Sequence, residues 1–235
     1  MSGWTAKRFW TRATVDPAPG GYTIRLDSRP VKTPAKTLLV VPAEALAQAI
    51  AAEWDAQTGL VKPDTMPFTR AANSALDKVA PQRDEVIDLL AAYGETDLLC
   101  YRATGPQPLI DRQAAHWDPL LHWAARDLNA PLQTVAGVMH IPQSPESLAA
   151  MRARMAAQSD FELAAFYDLV AITGSLVLAL AVSHRHIDAE AAWTLSRIDE
   201  SWQAEQWGRD DEAAAMELLK KAALLQADRF YRLCA

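Results

Sequence analysis

The fold class is decided around residues 21–34, which read GYTIRLDSRPVKTP. The first six of these residues alternate in polarity and are rich in β-branched and aromatic side chains, a pattern typical of a half-buried strand. Asp27-Ser28 then reads as a turn, and Pro30 and Pro34 keep the following residues extended, because proline fixes its own φ and restricts the residue before it. With a further strand at residues 38–41, the sequence predicts short antiparallel strands in a small sheet or partly closed barrel.

From residue 42 onward, the spacing of apolar residues changes to that of a helix. Leu46, Ile50 and Trp54 recur every four residues and form one apolar stripe. A proline-containing linker follows at residues 62–67. Strands do not alternate with helices along the sequence, so a parallel sheet is not predicted. The predicted fold is therefore α+β: a small N-terminal antiparallel β domain with one packed helix, residues 1–64, followed by a larger α-helical bundle domain, residues 65–235.

Three helices of the second domain carry specific predictions. The apolar run at residues 169–182 is predicted to belong to one buried helix that Asp160 caps, in which Gly174-Ser175 permits close helix packing. A single helix is predicted over residues 188–208, with Asp188 as its cap. Its apolar stripe is Ala191, Leu195, Ile198 and Trp202. The last helix is predicted over residues 210–233, and its inward-facing residues are Met216, Leu219, Ala223 and Phe230.

Composition excludes several classes of protein. The 235 residues carry a formal net charge of -6, so no general attraction to nucleic acid or anionic lipid is expected. The longest apolar run is shorter than the roughly 20 residues that a membrane-spanning helix needs. No secretory or mitochondrial targeting segment is recognised in the first twelve residues. Two cysteines cannot build a disulfide framework, and we expect reduced thiols in a cytosolic protein.

The sequence offers no constellation of catalytic or metal-binding residues. It has neither a glycine-rich phosphate loop nor a Gly-x-Ser-x-Gly turn. His116 and His122 are six residues apart and do not share a helix face, and no cysteine lies near any histidine in the sequence. Cys100 is interpreted as a small buried apolar residue. We therefore predict a protein that is not an enzyme, with no catalytic residue, no metal and no cofactor.

One tryptophan stands out among the eight in the chain because it lies off every apolar stripe. Trp207 shares a predicted helix face with Gln203 and Glu200, and Glu205 lies nearby. An aromatic side chain on a polar, acidic face is typical of an interface anchor. We predict four partner-binding residues: Glu200, Gln203, Glu205 and Trp207. The alternative is that Trp207 packs under the turn at Gly208.

Six short segments, in order along the chain, resemble a known family. They begin at Leu26 (LDSRPVKTP), Ile50 (IAAEWDAQ), Met66 (MPFTR), Glu95 (ETDLLCYR), Trp117 (WDP) and Glu205 (EQWG). The family is the F1-ATPase assembly chaperone that acts on the α subunit, found in mitochondria and α-proteobacteria. The resemblance implies a β domain followed by a helical domain, binding of the unassembled α subunit, and no catalysis. Asp27-Ser28 departs from the family pattern, which has Asp-Gly.

The resemblance also guides the expected location and partners. Mitochondrial members carry a targeting sequence that is not seen here, so a bacterial cytoplasmic protein is expected, as a monomer whose partner is the F1 α subunit. An alternative function is a small-molecule enzyme in which Arg29, Lys32 and Arg70 bind an anion in an interdomain cleft. The sequence offers no nucleophile, base or metal to complete such a site.

Overall fold

The computed structural model describes residues 7–208 and 210–234. Residues 1–6, 209 and 235, which the two predicted domains include, lie outside the described part. The chain forms two compact units. Within the described residues, unit 1 comprises residues 7–83, 159–165 and 229–234, and unit 2 comprises residues 84–158, 166–208 and 210–228. The domain boundary at residue 64 stays a prediction, because compact units record packing in the folded chain and not independent folding.

A small antiparallel sheet in the first part of the chain is followed by helices, and the predicted α+β fold is confirmed. The strands are β1 (Ala13–Ala18), β2 (Gly21–Leu26), β3 (Arg29–Pro30), β4 (Val40–Val41), β5 (Tyr101–Arg102) and β6 (Val135–Ala136). The helices are α1 (Glu44–Asp55), α2 (Pro67–Ser74), α3 (Arg83–Ala91), α4 (Gln107–Asp127), α5 (Pro145–Ala156), α6 (Asp160–Thr173), α7 (Leu176–Ser183), α8 (Ala189–Ser196), α9 (Ile198–Trp207) and α10 (Asp211–Leu233). No helix in the described ranges is long and apolar enough to cross a membrane.

The sheet of unit 1 is built on the hairpin of β1 and β2, which are paired along their whole length with Ala18 opposite Gly21. Gly20, in the turn between them, has a φ of +87°, a conformation that glycine adopts without steric cost. Gly21 is needed for a different reason: a Cβ there would lie 2.1 Å from the carbonyl oxygen of Val41. This close approach allows β4 to pair with β2 beside the hairpin.

The turn between β2 and β3 consists of Asp27 and Ser28. Asp27 has a φ of +53°, which aspartate tolerates better than most residues because its short side chain can bond to nearby backbone. Its carboxylate accepts hydrogen bonds from the N–H groups of Thr11 and Arg12, each at 3.1 Å. The turn is therefore tied to the segment that leads into β1, with serine at the position where the family pattern has glycine.

The apolar stripe of α1 covers the sheet of unit 1. Leu46, Ile50 and Trp54 are all buried, as the four-residue spacing predicted. They join a cluster with side chains of β2 and β4, and the ring of Trp10 meets that of Trp54 edge to face at 5.3 Å. Aromatic burial of this kind contributes strongly to the stability of so small a sheet.

Glu53 of α1, which precedes the buried Trp54, caps the start of α2. Its carboxylate accepts the backbone N–H groups of Phe68 at 2.7 Å and Thr69 at 2.8 Å, two of the donors that the first turn of a helix leaves unpaired. Burial raises the pKa of Glu53, and the hydrogen bonds from Thr69 and Phe68 oppose that rise. The charged residue therefore joins two helices of unit 1.

The apolar run predicted as one helix is broken in two. α6 ends at Thr173, Gly174 has a φ of +69°, and Ser175 caps α7 by accepting the N–H of Leu178 at 3.0 Å. A Cβ on Gly174 would meet nothing within 4 Å. The prediction of close helix packing there was wrong. Gly174 instead forms the turn between α6 and α7, which requires a left-handed backbone conformation that glycine adopts readily.

Two predicted helix caps have different outcomes. Asp188 caps α8 as expected, since its carboxylate accepts the N–H of Ala191 at 2.7 Å. Asp160 does not cap α6, because Ser159 precedes it and forms a reciprocal capping box with Glu162. Asp160 is the first residue of that helix, and its carboxylate pairs with Arg83.

The single helix predicted over residues 188–208 is also interrupted. α8 and α9 are separated by Arg197, which has φ -116° and ψ 19° and so leaves the helical region. Because the interruption changes the phase of the two faces, the predicted stripe is wrong for α8. The buried residues of α8 are Ala189, Ala192, Trp193 and Ser196. Of the predicted stripe, Ile198 is buried, whereas Ala191, Leu195 and Trp202 are only partly buried.

The first half of α10 exposes apolar side chains that were predicted to face inward. Met216 is 52% exposed and Leu219 is 65% exposed, and Ala223 is exposed as well. Phe230 is buried as predicted. The inward side of this half of the helix is formed by the partly buried Ala214, Glu217 and Lys221, and Lys221 forms an ion pair with Glu190 of α8 at 2.5 Å.

Asp97 occupies the gap that the break after α6 creates. The side chain is fully buried, and its carboxylate accepts hydrogen bonds from the N–H of Leu99, the hydroxyl of Ser175 and the N–H of Val177 at 2.8–3.0 Å. Burial raises the pKa of Asp97, and these hydrogen bonds oppose the rise. One side chain thus holds the start of α7 against the turn that leads into β5.

We predict that Trp54→Ala destabilises the protein by about 3–5 kcal/mol, because a large buried side chain is replaced by a cavity. The matched control is Trp207→Ala, since Trp207 is 79% exposed. Urea unfolding followed by circular dichroism should separate the two variants. Unchanged stability in Trp54→Ala would show that the stripe of α1 does not support unit 1.

We also predict that Asp97→Asn lowers the free energy of unfolding by about 3 kcal/mol, because the amide nitrogen would face N–H groups that need an acceptor. Asp111→Asn serves as the control, since Asp111 is exposed and accepts only from the side chain of Gln107. The measurement is again urea unfolding. Equal stability of the two variants would contradict the role given to Asp97.

Candidate functional site

A groove of about 460 Å³ lies within unit 2. One wall is formed by β5 and the segment that follows it, and a second by Gly137 and Val138 after β6. The third wall is α9, which contributes Asp199, Trp202, Gln203 and Trp207. The pairing of β5 with β6, extended by the hydrogen bond from Gly137 N–H to the carbonyl of Arg102 at 2.8 Å, brings the first two walls together.

Two of the four predicted partner-binding residues line this groove. Gln203 and Trp207 contribute to the wall formed by α9, whereas Glu200 and Glu205 lie on the same helix outside the lining. Trp207 is 79% exposed, so the alternative in which it packs under the turn at Gly208 was wrong. The role of all four residues in binding a partner stays a prediction.

Glu205 holds α9 to α4. Its carboxylate receives two hydrogen bonds from the guanidinium of Arg112, at 2.8 and 2.9 Å, in the bidentate geometry that arginine favours. The hydrogen bond from Arg112 lowers the pKa of Glu205. The same guanidinium lies 4.9 Å from the ring of Trp202. Glu205 and Arg112 therefore fix the position of the helix that carries Trp202 and Trp207.

Glu200 is paired on its own helix face. Its carboxylate lies 2.7 Å from the guanidinium of Arg197, three residues before it in the chain. Arg197 also lies over the ring of Trp193 at 5.5 Å. About half of the Glu200 side chain remains exposed, so the carboxylate is available at the surface of α9.

Asp199 is a groove residue that the sequence did not single out. Its carboxylate accepts a hydrogen bond from the amide of Gln113 at 2.6 Å, and the other side-chain atom of Gln113 accepts the N–H of Ala103 at 2.8 Å. Gln113 is buried, so this chain of bonds fixes the orientation of Asp199. Asp199 lies in the first turn of α9, two residues after the break at Arg197.

Two of the six segments that carry the family resemblance line this groove, and a third segment packs against one of them. Arg102, from the fourth segment, lies over the ring of Trp117 at 5.3 Å and pairs with Asp118 at 2.8 Å, both from the fifth segment. Trp207 comes from the sixth segment. The motifs were therefore a signal for this site, although their separation in sequence hid the fact that they lie together.

The groove is bordered by exposed apolar side chains. Val138 is 92% exposed and Trp207 is 79% exposed. Next to Val138 in sequence, Met139 is 76% exposed. Exposed apolar residues that cluster at one place on a protein surface mark a contact site more often than scattered ones do.

The residues named for an alternative enzyme lie in unit 1 and do not form a site there. Arg29, Lys32 and Arg70 are all exposed. Arg29 lies over the ring of Phe9 at 5.3 Å, and Arg70 lies 3.9 Å from Asp64. The enzyme alternative is not supported.

Two histidines and both cysteines, the residue types that most often bind metals or react in redox chemistry, pack against other residues of the protein. Among residues 7–208 and 210–234, no group of three or more histidine, cysteine, aspartate or glutamate side chains could hold a metal ion. His184 and His186 pack against the ring of Trp123. Cys100 and Cys234 are free and buried, and burial raises the pKa of each thiol to about 12, which keeps both protonated and unreactive.

Comparisons with known proteins give one consistent result. A family model described as ATP12 chaperone protein matches residues 7–125. The mitochondrial protein atp12 of Schizosaccharomyces pombe is 25% identical over 220 residues, which cover 88% of this chain and 75% of that protein. The crystal structure of Atp12 from Paracoccus denitrificans is 49% identical, with a TM-score of 0.95 over 98% of this chain and 99% of that one. The Atu1473 protein of Agrobacterium tumefaciens is 42% identical, with a TM-score of 0.88 over 95% and 85% of the two chains.

Proposed function

Because the chain belongs to the ATP12 chaperone family, we propose that it acts in F1-ATPase assembly by binding the unassembled α subunit and preventing its aggregation. The family is the one that the six sequence motifs indicated, and at that level the resemblance is confirmed. We further propose that the protein works as a monomer in the bacterial cytoplasm, because its structural relatives include proteins of two bacteria.

The observation that carries the proposal is the exposed indole of Trp207 at the rim of the groove. The residue is held on a helix that Arg112 and Glu205 fix to α4, so its exposure does not come from a loose chain end. An exposed tryptophan on a rigid element loses little conformational entropy on binding, which is why such residues anchor interfaces. The carboxylates of Asp199 and Glu200 on the same helix add polarity around the anchor.

A chaperone of this kind does not need catalytic machinery. The α subunit buries large surfaces against its neighbours in F1, and before assembly those surfaces are apolar patches that aggregate. A protein that covers them needs apolar anchors, mixed polarity and reversible binding. Trp207, Val138 and the exposed residues of α10, Met216, Leu218 and Leu219, supply apolar surface for this purpose.

We predict that the purified protein suppresses the aggregation of isolated F1 α subunit at near-stoichiometric amounts without ATP. Light scattering during dilution of α subunit from denaturant measures the effect. Bovine serum albumin at the same concentration is the control for non-specific protection. Protection that requires ATP hydrolysis would overturn the proposed function.

We also predict that Glu200→Lys leaves the melting temperature nearly unchanged but weakens capture of the α subunit. The exposed pair with Arg197 contributes only about 0.2–0.5 kcal/mol, whereas reversing a charge at an interface replaces attraction by repulsion. The matched control is Asp88→Lys, because Asp88 also forms an exposed ion pair with an arginine, Arg152, and lies on α3 rather than on α9 or α10. Capture equal to wild type would assign Glu200 to an ordinary solvated face, and a collapsed melting temperature would make it a structural residue.

A further inference from the structure

We propose, as an inference that rests on the proposed function, that the groove of unit 2 binds a short segment of the α subunit in which a lysine or arginine is flanked by apolar side chains. The basic group pairs with Asp199, and the apolar neighbours pack on Val138 and Trp207. This assigns a docking site within the chaperone and the chemistry of the segment that occupies it.

The charge of the groove supports a basic occupant. The carboxylates around α9 are neutralised by arginine in two cases: Glu200 pairs with Arg197, and Glu205 pairs with Arg112. Asp199 differs, because within the described part of the chain it receives only the neutral amide of Gln113 and forms no ion pair. A carboxylate held in place and left without a cation in a groove attracts a cation from a partner.

Arg102, which lines the groove, is already bound to other residues of the protein. Arg102 donates a hydrogen bond to the carbonyl of Leu99 at 2.8 Å, pairs with Asp118 at 2.8 Å and lies over the ring of Trp117. Only about an eighth of its side chain is exposed. Arg102 is therefore committed to the fold, and the charge that remains in the groove is the negative charge of Asp199.

The walls support apolar neighbours for the basic group. Val138 and Trp207 are both largely exposed to solvent, and the groove between the walls is also lined by Leu109 and Trp202. An indole face binds both the aliphatic stem and the charged head of a lysine or arginine. The groove therefore offers three complementary features to one short segment: a carboxylate, an aromatic face and an apolar rim.

The size of the groove limits what it can hold. Its volume of about 460 Å³ lies in the range of about 300–1,000 Å³ that is typical of sites for small molecules. This volume accommodates a few side chains of an extended segment. Such a site fits a client that is unassembled and has exposed segments.

The test uses Asp199→Asn, which keeps an oxygen to accept the hydrogen bond from Gln113, and Val138→Ser, at a position too exposed to affect folding. Asp111→Asn is the matched control, because Asp111 also accepts a glutamine amide but lies outside the groove. Each variant is checked by thermal melting and titrated with isolated F1 α subunit. We expect Asp199→Asn to weaken binding about tenfold and to reduce its salt dependence. Val138→Ser should weaken it severalfold, and the control should match wild type.

A second arm uses overlapping synthetic peptides that span the α subunit. Peptides that bind wild type but not Asp199→Asn should contain lysine or arginine, and replacement of that residue by norleucine should abolish binding. If wild type binds the α subunit and Asp199→Asn binds equally well, or if the selected peptides lack a basic residue, the groove assignment is overturned and the proposed function stands. If wild type does not bind the α subunit, both are overturned.

Discussion

The buried carboxylate of Asp97 holds two parts of unit 2 together by accepting hydrogen bonds from backbone N–H groups of both. Without it, these N–H groups would lack an acceptor. One part is the start of α7, which exists because Gly174 breaks the apolar run, and the other is the turn before β5. A helix start buried in an apolar interior leaves N–H groups without water, and each unpaired group would cost free energy. By accepting from both segments, Asp97 fixes the direction in which residues 101–106 leave the core. The position of one groove wall follows from this constraint.

The opposite wall depends on the electrostatics of α9. The helix is tied to α4 by the bidentate pair of Glu205 with Arg112, and its first turn is oriented by the hydrogen bond between Gln113 and Asp199. These interactions involve charged and polar side chains, which the sequence alone would suggest are solvated. They leave a rigid helix whose remaining features are the indole of Trp207, the carboxylate of Asp199 and the half-exposed carboxylate of Glu200. The acidic, aromatic character of this surface is therefore what remains after the structural pairs have formed.

The four residues predicted as one set of partner contacts thus divide into three groups. Glu205 pairs with Arg112 and positions the helix, whereas Gln203 and Trp207 line the groove itself. Glu200 lies outside the lining and pairs with Arg197. The first half of α10 also differs from the prediction, because Met216 and Leu219 are exposed, whereas Lys221 is partly buried and pairs with Glu190. A protein that exposes apolar side chains in this way gives up favourable burial.

The sequence by itself determined a small antiparallel sheet with strands near residues 21–26 and 38–41, the buried stripe of α1, the family, and the presence of an aromatic residue on an acidic helix face, whereas it did not predict β1. These features depend on local spacing, because the period of apolar residues reports which side chains avoid water within one element. Only the tertiary structure decided the breaks at Gly174 and Arg197, the exposure of Met216 and Leu219, and the groove with Asp199. The contacts responsible join residues far apart in the chain, such as Asp97 with Val177 across 80 positions and Arg112 with Glu205 across 93. Helical periodicity continues unchanged through a break that such contacts stabilise, so no local pattern could have predicted where the helices end or which residues meet at the groove.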